Sequence, residues 1–333
     1  MRKYGCPYVL LVAVFWAAAA AGCTGRFLAP PEPPAVIRND DLSVVTATGQ
    51  DTLESLALTY LGDADEAWRI AQYNQVGKAQ AGQRLVIPLR PVAPGGLQPD
   101  GYQTVPVLYY PRIVAEKRAA RGVPASTFEA QVQFLRENGY RTVRLAQLSE
   151  FLNLHADLPP KAVVISFDSA ERWVYDSAYP VLKRNGFTAV LFIPTGQIDK
   201  ARRLNWKEIA AMAAEGFDIG TSGIDARSLA AGPKTTYKEY SRKVEDEISL
   251  SQKAIAQHLK MPCHFFAYPG GYASDMIIAL LKKHGFRLAF TREAGSNPFF
   301  ADDFRLRRTL LGGQETEVWF QQTLTTFQPM DLR

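Results

Sequence analysis

Two stretches hold the residues that could do chemistry. Lys161 to Ala170, KAVVISFDSA, is an apolar β-branched run that closes on an acid, and Gly216 to Leu229, GFDIGTSGIDARSL, sets two more carboxylates among small residues. A run of the first kind reads as a buried parallel strand that delivers Asp168 to a pocket beyond its carboxyl end. There a carboxylate can take a proton from an attacking water or ligate a cation. Asp168, Asp218 and Asp225 are the candidates for an oxygen-only Mg²⁺ or Ca²⁺ site, although Asp225 also reads as a turn residue. The four histidines, His155, His258, His264 and His284, include no HxxxH pair, so no zinc site is written in imidazoles. His284 precedes Gly285 at a helix end, where a cation favours the helix dipole, and His258 lies among Lys and Gln on a polar helix face.

The two stretches resemble the polysaccharide deacetylase family, of NodB-homology fold, in which the first reads roughly TFDDG and the second GHEIGxHTxxH followed by Leu. The resemblance implies that Asp168 occupies the general-base position and Asp218 that of a structural acid. It places the metal-binding Asp at Ser169 and the two metal-binding His at Ser222 and Ala226, so all three ligands are replaced. An N-acetyl group is an inert amide, and such enzymes use a divalent metal to polarise its carbonyl and to generate hydroxide near neutral pH. A hydroxyl is a poor ligand beside imidazole or carboxylate, and a methyl is none.

Other landmarks are altered as well. The opening strand reads LYYPRI, with Pro111 where this branch has His, and the FAYPYG motif appears as FAYPGG, with Gly270 for its second Tyr. No His follows His284, so the family's general acid has no counterpart. Trp173, Tyr175, Trp206, Tyr268 and Tyr272 fall near expected strand ends, and of these Trp206, Tyr268 and Tyr272 are the candidates for stacking on a sugar ring. Asp168 has a structural reading too, as an acid that ends its strand and bonds to backbone or to an Arg of a neighbouring loop.

The elements that must position these residues alternate along 105–325. Strand-like runs at Val105 to Tyr110, Ala162 to Phe167, Thr188 to Ile193, Phe217 to Gly220, His264 to Tyr268, Arg287 to Thr291 and Phe304 to Thr309 are separated by amphipathic helices. Ser126 with Glu129, and Asn205 with Glu208, predict capping boxes, and a long helix is expected from about Thr235 to Leu259. Such alternation is that of an α/β domain with a parallel sheet, and the resemblance selects a distorted (β/α) barrel.

Before it lies a smaller unit, 44–88, predicted as strand, helix, helix, strand. It resembles a LysM domain, with G-D-T-L, Y-G, W-x-x-I-x-x-x-N and G-Q-x-L-x-I-P matched apart from Gln50 inserted before Asp51, Leu61 before Gly62 and one residue fewer between Trp68 and Ile70. That resemblance implies binding to N-acetylglucosamine-containing glycans such as peptidoglycan. It assigns contact to the module carrying Gly49, Asp51, Thr52, Leu53, Asn74, Gly82 and Gln83, several of which also read as turn builders. A Pro/Gly linker, 89–104, joins the two units.

Residues 1–22 combine Arg2 and Lys3 with an apolar run too short for a membrane span, which reads as a signal peptide. AAGC resembles a bacterial lipobox and implies lipidation at Cys23, with the Pro-rich 23–43 as a tether. The 333-residue chain is 47% hydrophobic and 21% charged, a globular composition. Its net charge of +5, or +3 without Arg2 and Lys3, is too small to argue for nucleic acid. After removal of the leader and acylation of Cys23, Cys263 has no disulfide partner and reads as a small apolar core residue.

The expectation is therefore an exported, lipid-anchored α/β protein that faces periplasm or cell wall and binds glycan or an envelope partner through a barrel that has lost hydrolysis. Its partners are an N-acetylglucosamine glycan, the membrane through Cys23 and an envelope protein, and no cofactor is expected. Two alternatives remain: an N-deacetylase using Asp168 with an unconventional metal or none, and a non-catalytic scaffold in a polysaccharide export or cell-wall complex.

Overall fold

A computed structural model describes residues 37–116, 122–227, 229–230 and 236–331. The expected signal peptide, Cys23 and most of the tether lie outside them. Among the described residues no helix is long and apolar enough to cross a membrane.

The N-terminal unit consists of β1 (Ile37–Arg38), β2 (Leu42–Thr46), α1 (Leu53–Leu61), α2 (Ala67–Asn74) and β3 (Arg84–Pro88). The strands form an antiparallel sheet in the order β1-β2-β3. Thr52 caps α1 by accepting from the Ser55 N–H while Ser55 Oγ accepts from the Thr52 N–H, and Gly62 ends the helix at φ +83°. Leu53, Leu56, Ala57 and Ile70 pack on Val45, Leu85 and Ile87 in a core of their own. The strand, helix, helix, strand order is as the periodicity predicts, but β1 and the start of β2 lie within the stretch expected to be tether.

The larger unit runs through β4 (Leu97–Gln98), β5 (Gly101–Tyr109), β6 (Ile113–Val114), β7 (Val123–Pro124), α3 (Ala125–Glu137), β8 (Arg141–Thr142), α4 (Leu145–Leu152) and β9 (Ala162–Phe167). It continues with α5 (Tyr179–Arg184), β10 (Val190–Ile193), α6 (Trp206–Ala214), β11 (Asp218–Thr221), α7 (Tyr237–Leu259), β12 (Phe265–Ala267), α8 (Asp275–Lys283) and β13 (Leu288–Phe290). β14 (Ser296–Pro298), β15 (Thr309–Leu310), α9 (Glu317–Thr323) and β16 (Phe327–Pro329) complete it.

Six strands, β13-β12-β11-β10-β9-β5, form a continuous parallel sheet, and β15 adds in parallel to the end of β5. β4, β14 and β16 pair antiparallel with the first half of β5. One core lies between sheet and helices, around Phe128, Leu135, Ile209, Ile248 and Leu281. The second fills the curl of the sheet with Val105, Val107, Val164, Phe192, Leu288, Phe290 and Leu306, closed at one end by Leu145, Leu148 and Phe151 of α4. The result is a curled α/β half-barrel.

Several expectations need correction. The supposed linker 89–104 is largely structured, because β5 opens at Gly101 rather than Val105 and β4 folds back on it. No capping box forms at Ser126; α3 starts at Ala125 behind Pro124, and the Glu116 carboxylate accepts from the Ser126 N–H. The box at Asn205 and Glu208 is present, and α7 is capped by Thr236. Of the last expected strand only Thr309 belongs to β15, which runs on to Leu310, and Leu306 makes an isolated parallel bridge to Phe290.

Candidate functional site

β9 presents Asp168 at its carboxyl end as the strand argument requires, and the side chain is met there by Arg308. Arg308 Nη1 and Nη2 donate to the two carboxylate oxygens at 2.6 and 2.8 Å, and Nε donates to the Thr291 carbonyl at 2.7 Å. The guanidinium is fully buried and lies over the rings of Tyr109, 4.4 Å away, and Phe192, 5.7 Å away. Arg308 thus ties together β5, β9, β10 and the end of β13 across the mouth of the half-barrel. A bidentate, desolvated pair of this kind holds both charges and fixes the carboxylate plane.

The next ring of residues fits this plug. Arg292 donates to the Tyr109 hydroxyl at 3.1 Å. Burial, reinforced by the charge of Asp168, pushes the Tyr109 phenol up to about 12, so it is un-ionised near neutral pH. On β11, Gly220 leaves room for the Phe192 ring, because a Cβ there would stand 2.6 Å from it.

The positions expected to hold metal ligands offer hydroxyls and a methyl. Ser169 is buried, and its Oγ accepts from the Glu171 N–H at 3.0 Å. Ser222 follows β11, one strand beyond β10, and its buried Oγ has no hydrogen-bond partner. Ala226 sits in a left-handed turn at φ +57°. No anionic or imidazole donor is among these three, and among the described residues no group of three or more His, Cys, Asp and Glu could hold an ion. The residues present do not fit a catalytic divalent metal.

The oxygen-only trio is dispersed. Asp218 opens β11, at the opposite end of the sheet from Asp168, and there its carboxylate accepts from Arg144 Nε and from the Leu145 N–H. The histidines are dispersed as well. His258 stacks on Trp206 at 4.2 Å, His284 caps α8 beside Glu245, His155 faces Glu150, and His264 Nδ1 meets the Gly285 carbonyl.

The aromatic candidates divide. Tyr268 is corrected from sugar-stacking candidate to core residue, being fully buried with its hydroxyl donating to the Phe304 carbonyl at 2.8 Å. Trp206 is half-buried under the His258 ring, and Tyr272 is exposed on the loop after β12. Trp173, packed edge-on against Phe167, has a buried indole N–H without a partner, so with Ser222 Oγ it leaves a second polar atom unsatisfied beyond the strand ends.

In the N-terminal unit most of the motif is structural. Asn74 uses its whole amide on backbone, donating to the Ile70 and Val86 carbonyls and accepting from the Val86 N–H. Leu53 is core, Asp51 accepts from both Thr48 donors, and Thr52 is the helix cap. Gly82 turns at φ +79°, and Gln83 accepts from the Gln80 N–H. Gly49 is open to solvent. Sequence reasoning missed Arg308, Tyr109 and Arg292. The only local signal for the first was the cluster of Arg305, Arg307 and Arg308, which does not say which of them turns inward.

Comparison with known proteins agrees with the fold. Residues 155–289, within the larger unit, match the polysaccharide deacetylase family model. The chain is 28% identical over 192 residues to YxkH of Bacillus subtilis, covering 58% of this chain and 66% of that protein. It is 25% identical over 202 residues to the poly-beta-1,6-N-acetyl-D-glucosamine N-deacetylase of Staphylococcus epidermidis, covering 59% and 70%. The structure of IcaB from Ammonifex degensii superposes with a TM-score of 0.58 at 26% identity, over 68% of this chain and 97% of that one. The Streptococcus pyogenes deacetylase PplD shares the fold, with a TM-score of 0.60 at 21% identity over 67% and 98%.

Proposed function

We propose that this is an envelope lipoprotein whose deacetylase-type domain binds N-acetylated glycan without hydrolysing it. One observation carries the reading: beside the pinned carboxylate of Asp168, the three ligand positions are Ser169, Ser222 and Ala226. Hydroxyls and a methyl give a divalent cation nothing to replace its water shell, and an amide without Lewis-acid activation stays uncut. The glycan class is supported by the relatives named as poly-N-acetylglucosamine deacetylases.

The N-terminal unit is read as a LysM module that adds affinity for peptidoglycan, on its sequence motifs and its βααβ order. Export and acylation at Cys23 rest on the leader pattern alone, and an envelope protein partner is part of the same proposal.

The deciding experiment combines metal analysis of the purified full chain with acetate release from poly-N-acetylglucosamine, chitooligosaccharide and peptidoglycan, and with sedimentation on the same insoluble glycans. Binding without acetate or stoichiometric metal is the expected result. Turnover abolished by Asp168→Asn would establish the hydrolase alternative, and absence of glycan binding would leave the scaffold. Palmitate labelling at Cys23 tests the anchor.

A further inference from the structure

A cleft of about 320 Å³ opens between α2 and the amino-terminal end of the half-barrel sheet. It lies at the other end of β9 from Asp168, roughly 20 Å away at the rise of an extended strand. We propose that this cleft is a second carbohydrate site, which takes one or two residues of a neutral N-acetylated oligosaccharide between the two units.

Its walls are fixed before any ligand arrives. The Asp157 carboxylate accepts from the Val92 and Ala93 N–H groups at 2.6 and 3.0 Å, which holds the connecting segment against the larger unit. From the other side Arg69 Nη2 donates to the carbonyls of Pro88 and Arg90, at 3.2 and 2.7 Å. Preorganisation of this kind lowers the ordering cost of binding.

The lining has the chemistry of sugar recognition. Trp68, Tyr73 and Phe327 supply ring faces for the apolar face of a pyranose. The Gln72 and Gln98 amides, exposed at the rim, hydrogen-bond to nothing else among the described residues and offer paired donors and acceptors for hydroxyl and acetamido groups. Arg69 holds its place in that wall through Nη1, which donates to Glu66, and Nη2, which donates to the Pro88 and Arg90 carbonyls.

Charge argues for a neutral ligand. Arg69 faces Glu66, Asp157 is spent on backbone N–H groups, and Lys161 Nζ donates to the Asn138 carbonyl. The size falls within the range of small-ligand sites. Of the module's motif only Trp68 lines this cleft, none of the residues assigned to glycan contact (Gly49, Asp51, Thr52, Leu53, Asn74, Gly82 and Gln83) does, and the site does not depend on what the Asp168 mouth binds.

The test is calorimetric titration of the full chain with N-acetylglucosamine oligomers, beside Tyr73→Ala, Gln98→Ala and the cleft-filling Gln98→Trp. Tyr73 and Gln98 are exposed, so folding should persist, and circular dichroism with thermal unfolding checks it. One binding event weakened roughly tenfold in each truncation and lost in Gln98→Trp is expected, with the Asp168→Asn chain retaining it. Oligomer binding that is unchanged in all three variants, or absent from the wild-type chain, overturns the proposal. Displacement of an apolar dye by the Gln98→Trp substitution but not by oligomer also overturns it, by assigning the cleft to an apolar ligand.

Discussion

Arg308 and Asp168, 140 positions apart, meet through two parallel hydrogen bonds in a site from which the arginine side chain is wholly screened from water. Removing one member strands the other as an uncompensated buried charge. Arg308→Met is therefore expected to lower unfolding free energy by about 3–5 kcal/mol. Asp168→Asn likewise leaves the buried guanidinium without its counter-charge and should cost a comparable amount. Urea unfolding of both single variants and the double variant checks this, with a smaller loss in the double variant than the sum of the two.

A metal centre should be recoverable by substitution. Ser169→Asp, Ser222→His and Ala226→His together are expected to yield about one bound zinc per chain, whereas each alone yields none, because tetrahedral zinc needs at least three good donors. Elemental analysis after dialysis reads the outcome. Zinc retained by the unmodified chain at equal stoichiometry would contradict the proposed function.

Tyr109 gives a pH dependence. Its folded pKa is raised to about 12, above the ordinary value of 10. The folded state favours the protonated phenol, so the associated stability is complete below pH 10 and falls as pH rises through 12. Tyr109→Phe should flatten that part of the stability curve. Tyr110 and Tyr268 are raised by burial too, so the comparison is made on the difference between wild type and variant.

Gly220→Ala places a Cβ against Phe192 Cδ1 and the Phe265 carbonyl, at 2.6 and 2.8 Å. Overpacking there should cost roughly 1–3 kcal/mol and displace the ring on which Arg308 rests. Chemical denaturation measures the cost, and a changed near-ultraviolet aromatic spectrum reports the displacement.

Asn74 offers a contrast between building and binding. Asn74→Ala should destabilise the N-terminal unit by about 1–3 kcal/mol, because Val86 loses partners for both its N–H and its carbonyl. At temperatures where that unit stays folded, glycan affinity should be unchanged. Pull-down on insoluble peptidoglycan alongside thermal unfolding separates the two effects.

The sheet was legible where burial imposes a pattern. VVISF, VLFI and FFA are continuous apolar runs because both faces of those strands are covered, and Asp168 stood out because it ends one of them. The edge pieces were not legible. Ser296–Pro298 and Phe327–Pro329 are short, polar or proline-bearing, and pair only through their tertiary neighbour β5. Asp168 could be found from the sequence, but its partner could not. Nothing in FRLRRTLL distinguishes the arginine that turns inward, since that depends on ring faces contributed by Tyr109 and Phe192 from two other strands.

β5 pairs with β4, β9, β14, β15 and β16, and Thr104 donates from its hydroxyl and its N–H to the carbonyls of Thr325 and Thr326, 221 or more positions away. The barrel's first strand thus waits for almost its last residues. Contacts so distant close late and make folding slow. Until residues 296–329 join it, β5 holds only β4 and β9. One edge of that strand therefore stays open to wrong partners until the late segment docks.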